Sequence, residues 1–181
     1  ILSGQRFSGK SLFGELVANQ YFTENSIRLL PNSVIQVKGR KLSVGYDLGE
    51  ALEFVKNYTL NDFPLVWIDD LELWASPTVS LSENVRELRK CIDSYSGRIF
   101  FVVSMSNWLK AHLNKIYNLN KVFQASINLD KMSLEEVRQA ILIRHGATHK
   151  VLVNKDGDEL APQQFKKMTN RIYKDTEGNV G

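Results

Sequence analysis

The chain has 181 residues, of which 43% are hydrophobic, and its formal net charge is +3. This composition predicts one α/β domain, or one domain with a small appendage. The mild positive charge permits nucleic-acid binding but does not argue for it. The apolar run at residues 99–103 is far too short to cross a bilayer, so no membrane span is predicted in this segment.

The single cysteine, Cys91, cannot form an internal disulfide. A lone thiol fits a reducing compartment, and no signal or transit peptide is recognisable. We therefore predict a cytoplasmic protein or the cytosolic domain of a larger one. Because the first residue is Ile1 rather than methionine, we also expect the chain to be part of a longer protein.

Strands alternate with helices as far as residue 129. Residues 1–3 predict a truncated first strand, and a glycine-bearing loop then leads into a helix over residues 11–21. The later predicted elements are a strand at 33–37, a helix carrying Leu48, Ala51, Leu52 and Val55, a buried strand at 63–68, a helix at 82–95, a buried strand at 99–103, a helix around Leu109, Leu113 and Ile116, and a strand within 123–129. This alternation predicts an α/β fold, in which helices flank a parallel sheet.

The pattern changes after residue 129. Ser133 and Glu136 have the spacing of a capping box and predict the start of a helix that ends near Gly146. Residues 151–160 alternate around a turn at 154–157 and are a hairpin candidate, and Pro162 begins a final helix. We therefore predict a core at residues 1–129 and a small, mostly helical appendage at 130–181.

Residues 4–11 match the phosphate-binding pattern G-x-x-x-x-G-K-[ST] at every fixed position. In such a loop the backbone N–H groups point at phosphate oxygens, and the following helix directs its N-terminal dipole at the same place. Lys10 is expected to reach the β- and γ-phosphates, where it serves catalysis, and Ser11 is expected to bind Mg²⁺. The predicted nucleotide contacts are Gly4, Gln5, Arg6, Phe7, Ser8, Gly9, Lys10, Ser11 and Leu12.

A second motif is the apolar strand that ends in Asp69 and Asp70. A buried strand of this kind fixes a carboxylate beside the metal of a phosphate-binding loop. We assign Asp69 to Mg²⁺. Asp70 is assigned to the attacking water as a general base, because a second acid can accept its proton.

The third feature is the polar end of the strand at residues 99–103, which continues into Ser104, Ser106 and Asn107. The carboxyl ends of parallel strands form the ligand-binding edge of such sheets. Asn107 is therefore a candidate catalytic contact to the γ-phosphate or the attacking water. The alternative is that Ser106 or Asn107 simply caps the next helix, and the sequence leaves both readings open.

With these three motifs in order, the chain resembles the AAA+ class of P-loop ATPases. The resemblance implies ATP and Mg²⁺ as ligands, hydrolysis that drives a conformational change, and residues 130–181 as a helical lid. It also implies other domains of a longer chain, and a homo-oligomer, as partners. The paired aspartates look like the initiator and STAND-type branches of the class.

Two alternatives remain beside an ATPase. One is an ATP-binding signalling switch with little turnover, in which bound nucleotide orders the lid. The less favoured one is a small-molecule kinase, for which no acceptor site is found. A GTPase is disfavoured because residues 120–123 lack the acid of N-K-x-D, and Glu72 stands where D-x-x-G needs glycine.

Overall fold

The computed structural model describes residues 1–6, 8–22, 25–37, 39–59, 64–148 and 151–178. Its strands are β1 (Leu2–Gly4), β2 (Ser26–Leu29), β3 (Val34–Val37), β4 (Arg40–Ser43), β5 (Leu65–Ile68), β6 (Phe100–Ser106) and β7 (Ile127–Leu129). Its helices are α1 (Lys10–Tyr21), α2 (Leu48–Thr59), α3 (Leu81–Tyr95), α4 (Asn107–Tyr117), α5 (Leu119–Val122), α6 (Leu134–Thr148) and α7 (Pro162–Thr176). The chain forms two compact units, one of residues 1–4 and 10–129 and the other of residues 5–9 and 130–181.

The first unit is built on a parallel sheet with strand order β2-β5-β6-β1-β7. The strands β3 and β4 form a separate antiparallel pair. These elements confirm the predicted α/β fold. Strand β2 was not predicted. Its four residues alternate between polar (Ser26 and Arg28) and apolar, and an alternation this short cannot be told from that of a loop.

Helices cover both faces of this sheet. Successive strand residues point to opposite faces, and Val66 and Ile68 of β5 join a large core made with helices α2, α3 and α4. The other two β5 residues, Leu65 and Trp67, lie outside that core, and Trp67 packs against α1. All four residues of β5 are buried, as expected for a strand covered on both sides.

The buried face of α1 is not the apolar stripe that helical spacing suggests. Leu12 and Leu16 are 63% and 59% exposed, whereas Lys10, Gly14 and Ala18 are buried. Gly14 is buried because the Trp67 ring lies where its Cβ would be. The large indole and the small glycine therefore set how closely α1 approaches the sheet.

We expect Gly14→Ala to lower the free energy of unfolding. The added methyl group overlaps the Trp67 ring, and overpacking of a core costs about 1–3 kcal/mol, which exceeds the gain of about 1 kcal/mol in helix propensity. Gly146→Ala is the matched control, because it makes the same change in helix α6 with open space around the new methyl group. Denaturant unfolding followed by circular dichroism should show opposite signs, and a stabilising Gly14→Ala would contradict this packing.

A broad apolar cavity of about 490 Å³ opens at the amino ends of the strands, on the α1 side of the sheet. Its walls include Leu2, Leu65 and Ile127, with Phe13 and Val17 from α1. Phe100, the first residue of β6, is 55% exposed there. The amino half of β6 is thus less buried than its apolar sequence predicts.

The second unit contains helices α6 and α7, which contact each other. Arg138 of α6 joins them, because its guanidinium donates hydrogen bonds to Thr169 and Asn170 of α7. The predicted capping box is present: the Ser133 N–H donates to Glu136 and the Glu136 N–H donates to Ser133 Oγ.

Two further predictions for this unit have different outcomes. Helix α6 ends at Thr148, two residues beyond the predicted end near Gly146. Residues 152–160 form a tight turn, in which Gly157 has a φ of 90° and Val153 pairs with Glu159. This arrangement is the smallest form of the hairpin that the alternation predicts. Over the residues that are described, no helix combines the length and apolar character that a membrane crossing needs.

Candidate functional site

The strand register brings three polar strand ends to one edge of the sheet. In the parallel pairs, Gly4 of β1 lies opposite Ser106 of β6, and Ile68 of β5 lies opposite Val103 of β6. The residues that follow β5 are Asp69 and Asp70, and β6 runs directly into Asn107. This edge therefore carries the ends of all three motifs of the core.

The loop between β1 and α1 has the local features of a ligand-binding turn. Gly9 has a φ of 84°, a left-handed conformation that glycine adopts without strain. The Ser8 N–H donates to the carbonyl of Gln5 at 3.2 Å. The Ser8 hydroxyl is buried and has no hydrogen-bond partner among the described residues. A buried hydroxyl of this kind fits a missing acceptor such as a phosphate oxygen. Phe7 lies outside the described residues.

Lys10 and Ser11 begin helix α1 beside the strand ends. Lys10 is only 7% exposed, and its Nζ lies 3.5 Å from the carbonyl oxygen of Gly4, which is long for a strong hydrogen bond. The Ser11 hydroxyl donates to Asp69 Oδ2 at 3.0 Å. The structure thus joins the predicted metal ligand of the loop to the predicted metal ligand of the strand. Leu12 follows on the exposed side of the helix.

Asp69 is fully buried and accepts hydrogen bonds on both carboxylate oxygens. Its Oδ1 accepts from the Ser104 hydroxyl and, at 3.1 Å, from the N–H of Asp70. Its Oδ2 accepts from Ser11 and from the guanidinium of Arg28. A buried carboxylate is stable only when it is paired and hydrogen-bonded in this way.

Arg28, from the middle of β2, is the residue of this site that the sequence did not reveal. Its Nε and Nη2 both donate to Asp69 Oδ2, and the Nε distance is 3.0 Å. Its Nη1 donates to Glu15 of α1 at 2.6 Å, and the guanidinium carbon lies 4.4 Å from the centre of the Trp67 ring. No local signal marks it, because Arg28 occupies a regular polar position of a short alternating segment and meets Asp69 only through the pairing of β2 with β5.

Asp70 has a different environment from Asp69. It is half-buried, and its backbone is left-handed, with a φ of 48° and a ψ of 62°. Burial raises the pKa of its carboxyl group, and the charges of Asp69 and Glu72 raise it further against the opposing charges of Lys10 and Arg28. A raised pKa is what a carboxylate needs to accept a proton near neutral pH.

The end of β6 resolves one open alternative. Ser106 is the N-cap of α4, because its hydroxyl accepts from the N–H of Leu109 at 3.2 Å. Its own N–H donates to Glu72 at 3.2 Å. Asn107 is the exposed first residue of that helix, so it is not the cap and its predicted contact to phosphate or water stays a prediction. Ser104, buried on the same strand, is the residue that contacts Asp69.

A series of hydrogen bonds connects the backbone of Asp69 to Trp74, to Asn84 and to the start of α2. The Trp74 indole N–H donates to the Asp69 carbonyl at 3.2 Å. Asn84 of α3 is buried, and its amide donates to the carbonyl of Trp74 and, at 2.9 Å, to that of Tyr46. Its amide oxygen accepts from the N–H of Leu48 at 2.9 Å. The strand end is therefore tied to the first residues of α2.

Ser11 and Asp69 fit a magnesium ion by the chemistry of their donor atoms. Both offer oxygen ligands, which Mg²⁺ prefers, and such sites usually hold the ion with few protein groups plus phosphate oxygens and water. Within the described part of the chain, no group of three or more His, Cys, Asp or Glu side chains could hold a metal ion. A metal here would therefore complete its coordination with water, and with phosphate oxygens when a nucleotide is bound.

The fold of this chain is that of an AAA ATPase domain, as comparison with solved structures shows. Two solved structures share it: the FIGL-1 AAA domain in complex with ADP (TM-score 0.55, 15% identity, 93% of this chain and 52% of that chain covered), and a structure that gives the basis for katanin self-assembly (TM-score 0.51, 13% identity, 94% and 50% covered). The chain thus spans about half the length of each. No protein-family model matches the chain, and no curated protein matches it in sequence.

Proposed function

We propose that this chain is an ATP- and Mg²⁺-binding module of AAA+ type that hydrolyses ATP to drive a conformational change in a larger protein. One observation carries the proposal. The Ser11 hydroxyl and the Asp69 carboxylate, which come from two motifs far apart in the sequence, lie within 3.0 Å of each other. This is the juxtaposition that a phosphate loop and its acidic strand need in order to hold one metal ion.

The phosphates are proposed to bind to the backbone N–H groups and side chains of residues 4–12. The unpartnered Ser8 hydroxyl would donate to a phosphate oxygen. Lys10 would contribute its charge to the β- and γ-phosphates. Gly9 adopts a left-handed backbone conformation, which strains any residue that has a side chain. In that conformation its backbone N–H would point at a phosphate oxygen.

Ser11 and Asp69 would hold Mg²⁺, which when bound neutralises charge on the β- and γ-phosphates. The half-buried Asp70 carboxylate, with its raised pKa, would orient a water and take its proton. Asn107 would contact the γ-phosphate or that water from the end of β6.

A signalling switch with little turnover is the second candidate, and the Arg28 contact favours it. Arg28 donates to the Asp69 oxygen that the metal would take, so the metal would have to compete with the arginine, and metal-dependent turnover would be low while the arginine stays there. The small-molecule kinase is the weakest candidate, because the sequence shows no acceptor site for it. Measured turnover in the presence and absence of candidate partners separates the first two.

The proposed partners are further copies of this chain and other domains of a longer protein. The katanin structure concerns self-assembly, and we extend that property to this chain as a proposed homo-oligomer. Other domains of a longer chain are the proposed recipients of the conformational change. The proposal places the module in the cytoplasm, where ATP is abundant and the single thiol of Cys91 stays reduced.

We expect the chain to bind Mg·ATP and to prefer it over Mg·GTP, because the sequence carries no guanine-reading motif. Isothermal titration with each nucleotide measures the two affinities directly, and competition of GTP against a fluorescent ATP analogue confirms the order. GTP binding as tight as ATP binding would contradict the proposed base preference. Failure of both nucleotides to bind would contradict the proposed function itself.

A further inference from the structure

The metal-binding oxygen of Asp69 is already occupied by a cation of the protein. Oδ2 accepts from Ser11, from Arg28 Nε and from Arg28 Nη2. Oδ1 accepts from Ser104 and from the N–H of Asp70. A carboxylate has about four lone-pair positions, so these five donors saturate it. A metal ion can bind Asp69 only by displacing a donor.

The donor that must leave is Arg28. Ser11 is itself a candidate metal ligand, and the donors on Oδ1 are neutral and face the other oxygen. The guanidinium and a divalent cation repel each other strongly at the few ångströms that separate ligands of one carboxylate oxygen. Both positive charges therefore cannot bind Oδ2 at once.

Arg28 has a second anion to bind when it leaves. Its Nη1 already donates to Glu15 at 2.6 Å, and the side chains of Arg28 and Glu15 are 31% and 50% exposed. The guanidinium also lies over the Trp67 ring. It can turn toward Glu15 and solvent without becoming a buried, unpaired charge, whereas Asp69 cannot lose its cation without replacement.

We propose that Arg28 is a resident cation that neutralises Asp69 in the metal-free protein and is exchanged for the divalent ion when the metal binds. The inference rests on the proposed function, because it takes Asp69 as the metal ligand. Arg28 thereby sets the metal affinity of the site: it stabilises the metal-free state, and binding of the metal must include its release.

The test measures metal binding without nucleotide or turnover. Mn²⁺ alone is titrated into the whole chain and its free fraction is read by electron paramagnetic resonance. Arg28→Gln, which removes the charge, should bind Mn²⁺ at least about tenfold more tightly than the parent. Arg89→Gln, which removes an exposed arginine from α3, should leave the affinity unchanged. The double variant Arg28→Gln/Asp69→Asn should lose the gain, which assigns the bound ion to Asp69.

Arg28→Lys keeps the test decisive if Arg28→Gln fails to fold. Lysine retains the charge but lacks the paired donors and is more strongly hydrated, so we expect Mn²⁺ to bind about threefold more tightly than in the parent. An Mn²⁺ affinity equal to or below the parent value in a folded Arg28 variant would overturn the proposal. Because no nucleotide is used, that result would leave the proposed ATP binding standing, and a chain that binds no ATP could still show the exchange.

Discussion

Replacement of Asp70 by asparagine should leave Mg·ATP binding unchanged and slow hydrolysis by about 10²- to 10⁴-fold, the usual contribution of a general base. Asparagine has nearly the same shape, and it tolerates the left-handed backbone that Asp70 adopts. The variant therefore removes the proton acceptor without straining the turn. Single-turnover hydrolysis, with nucleotide affinity measured on the same preparation, gives the two numbers.

Glu72→Gln is the informative comparison for this variant. Glu72 is the other acid whose charge raises the pKa of Asp70, but its carboxylate accepts from the Ser106 N–H. If Glu72→Gln stops turnover and Asp70→Asn does not, the base has been assigned to the wrong acid.

Parent turnover should also fall as the pH is lowered, because the base acts deprotonated and the raised pKa of Asp70 brings its protonation closer to neutral pH. A parent without any turnover, even with partners, favours the switch.

Replacement of Lys10 by alanine should weaken Mg·ATP binding by about 100-fold. Hydrogen bonds to charged groups contribute about 1.5–3 kcal/mol each, and about 1.4 kcal/mol corresponds to a tenfold change in affinity. Lys10 is positioned for this role, because it is buried at the start of α1 beside the carbonyl of Gly4. Equilibrium titration of nucleotide into both proteins measures the change.

Lys115→Ala provides the control for charge. Lys115 lies in the last turn of α4 and is exposed, so its loss changes the net charge equally without touching the phosphate loop. The two variants should differ widely in ATP affinity while keeping the same circular dichroism spectrum. Unchanged affinity in a folded Lys10→Ala protein would refute the assignment of the loop to phosphate.

The sequence predicted the parallel sheet because its central strands are continuous apolar runs with sharp polar ends. Residues 65–68 are followed directly by two aspartates. In a chain that also carries a glycine-bearing phosphate loop, this pattern favours a buried strand of a parallel sheet over other secondary structures. The capping box at Ser133 was equally predictable, since it depends on two residues three positions apart.

The missed features depend on contacts between distant segments. Arg28 meets Asp69 only after β2 pairs with β5, and nothing local to residues 26–29 specifies that pairing. The buried face of α1 was also unpredictable, because Gly14 is buried by the bulk of Trp67 rather than by its own hydrophobicity. Ser104 was read only as part of a polar strand end, although its position opposite β5 gives it the contact to Asp69.

The hydrogen bonds behind Asp69 make the candidate metal ligand rigid before any ligand arrives. Trp74 holds the Asp69 carbonyl, and Asn84 holds Trp74 and the first residue of α2. A group that is already ordered loses little conformational entropy when it binds, so more of its interaction energy appears as affinity. Motion that accompanies a nucleotide cycle should therefore be sought in side chains such as Arg28, while the end of β5 and the start of α2 move as one piece.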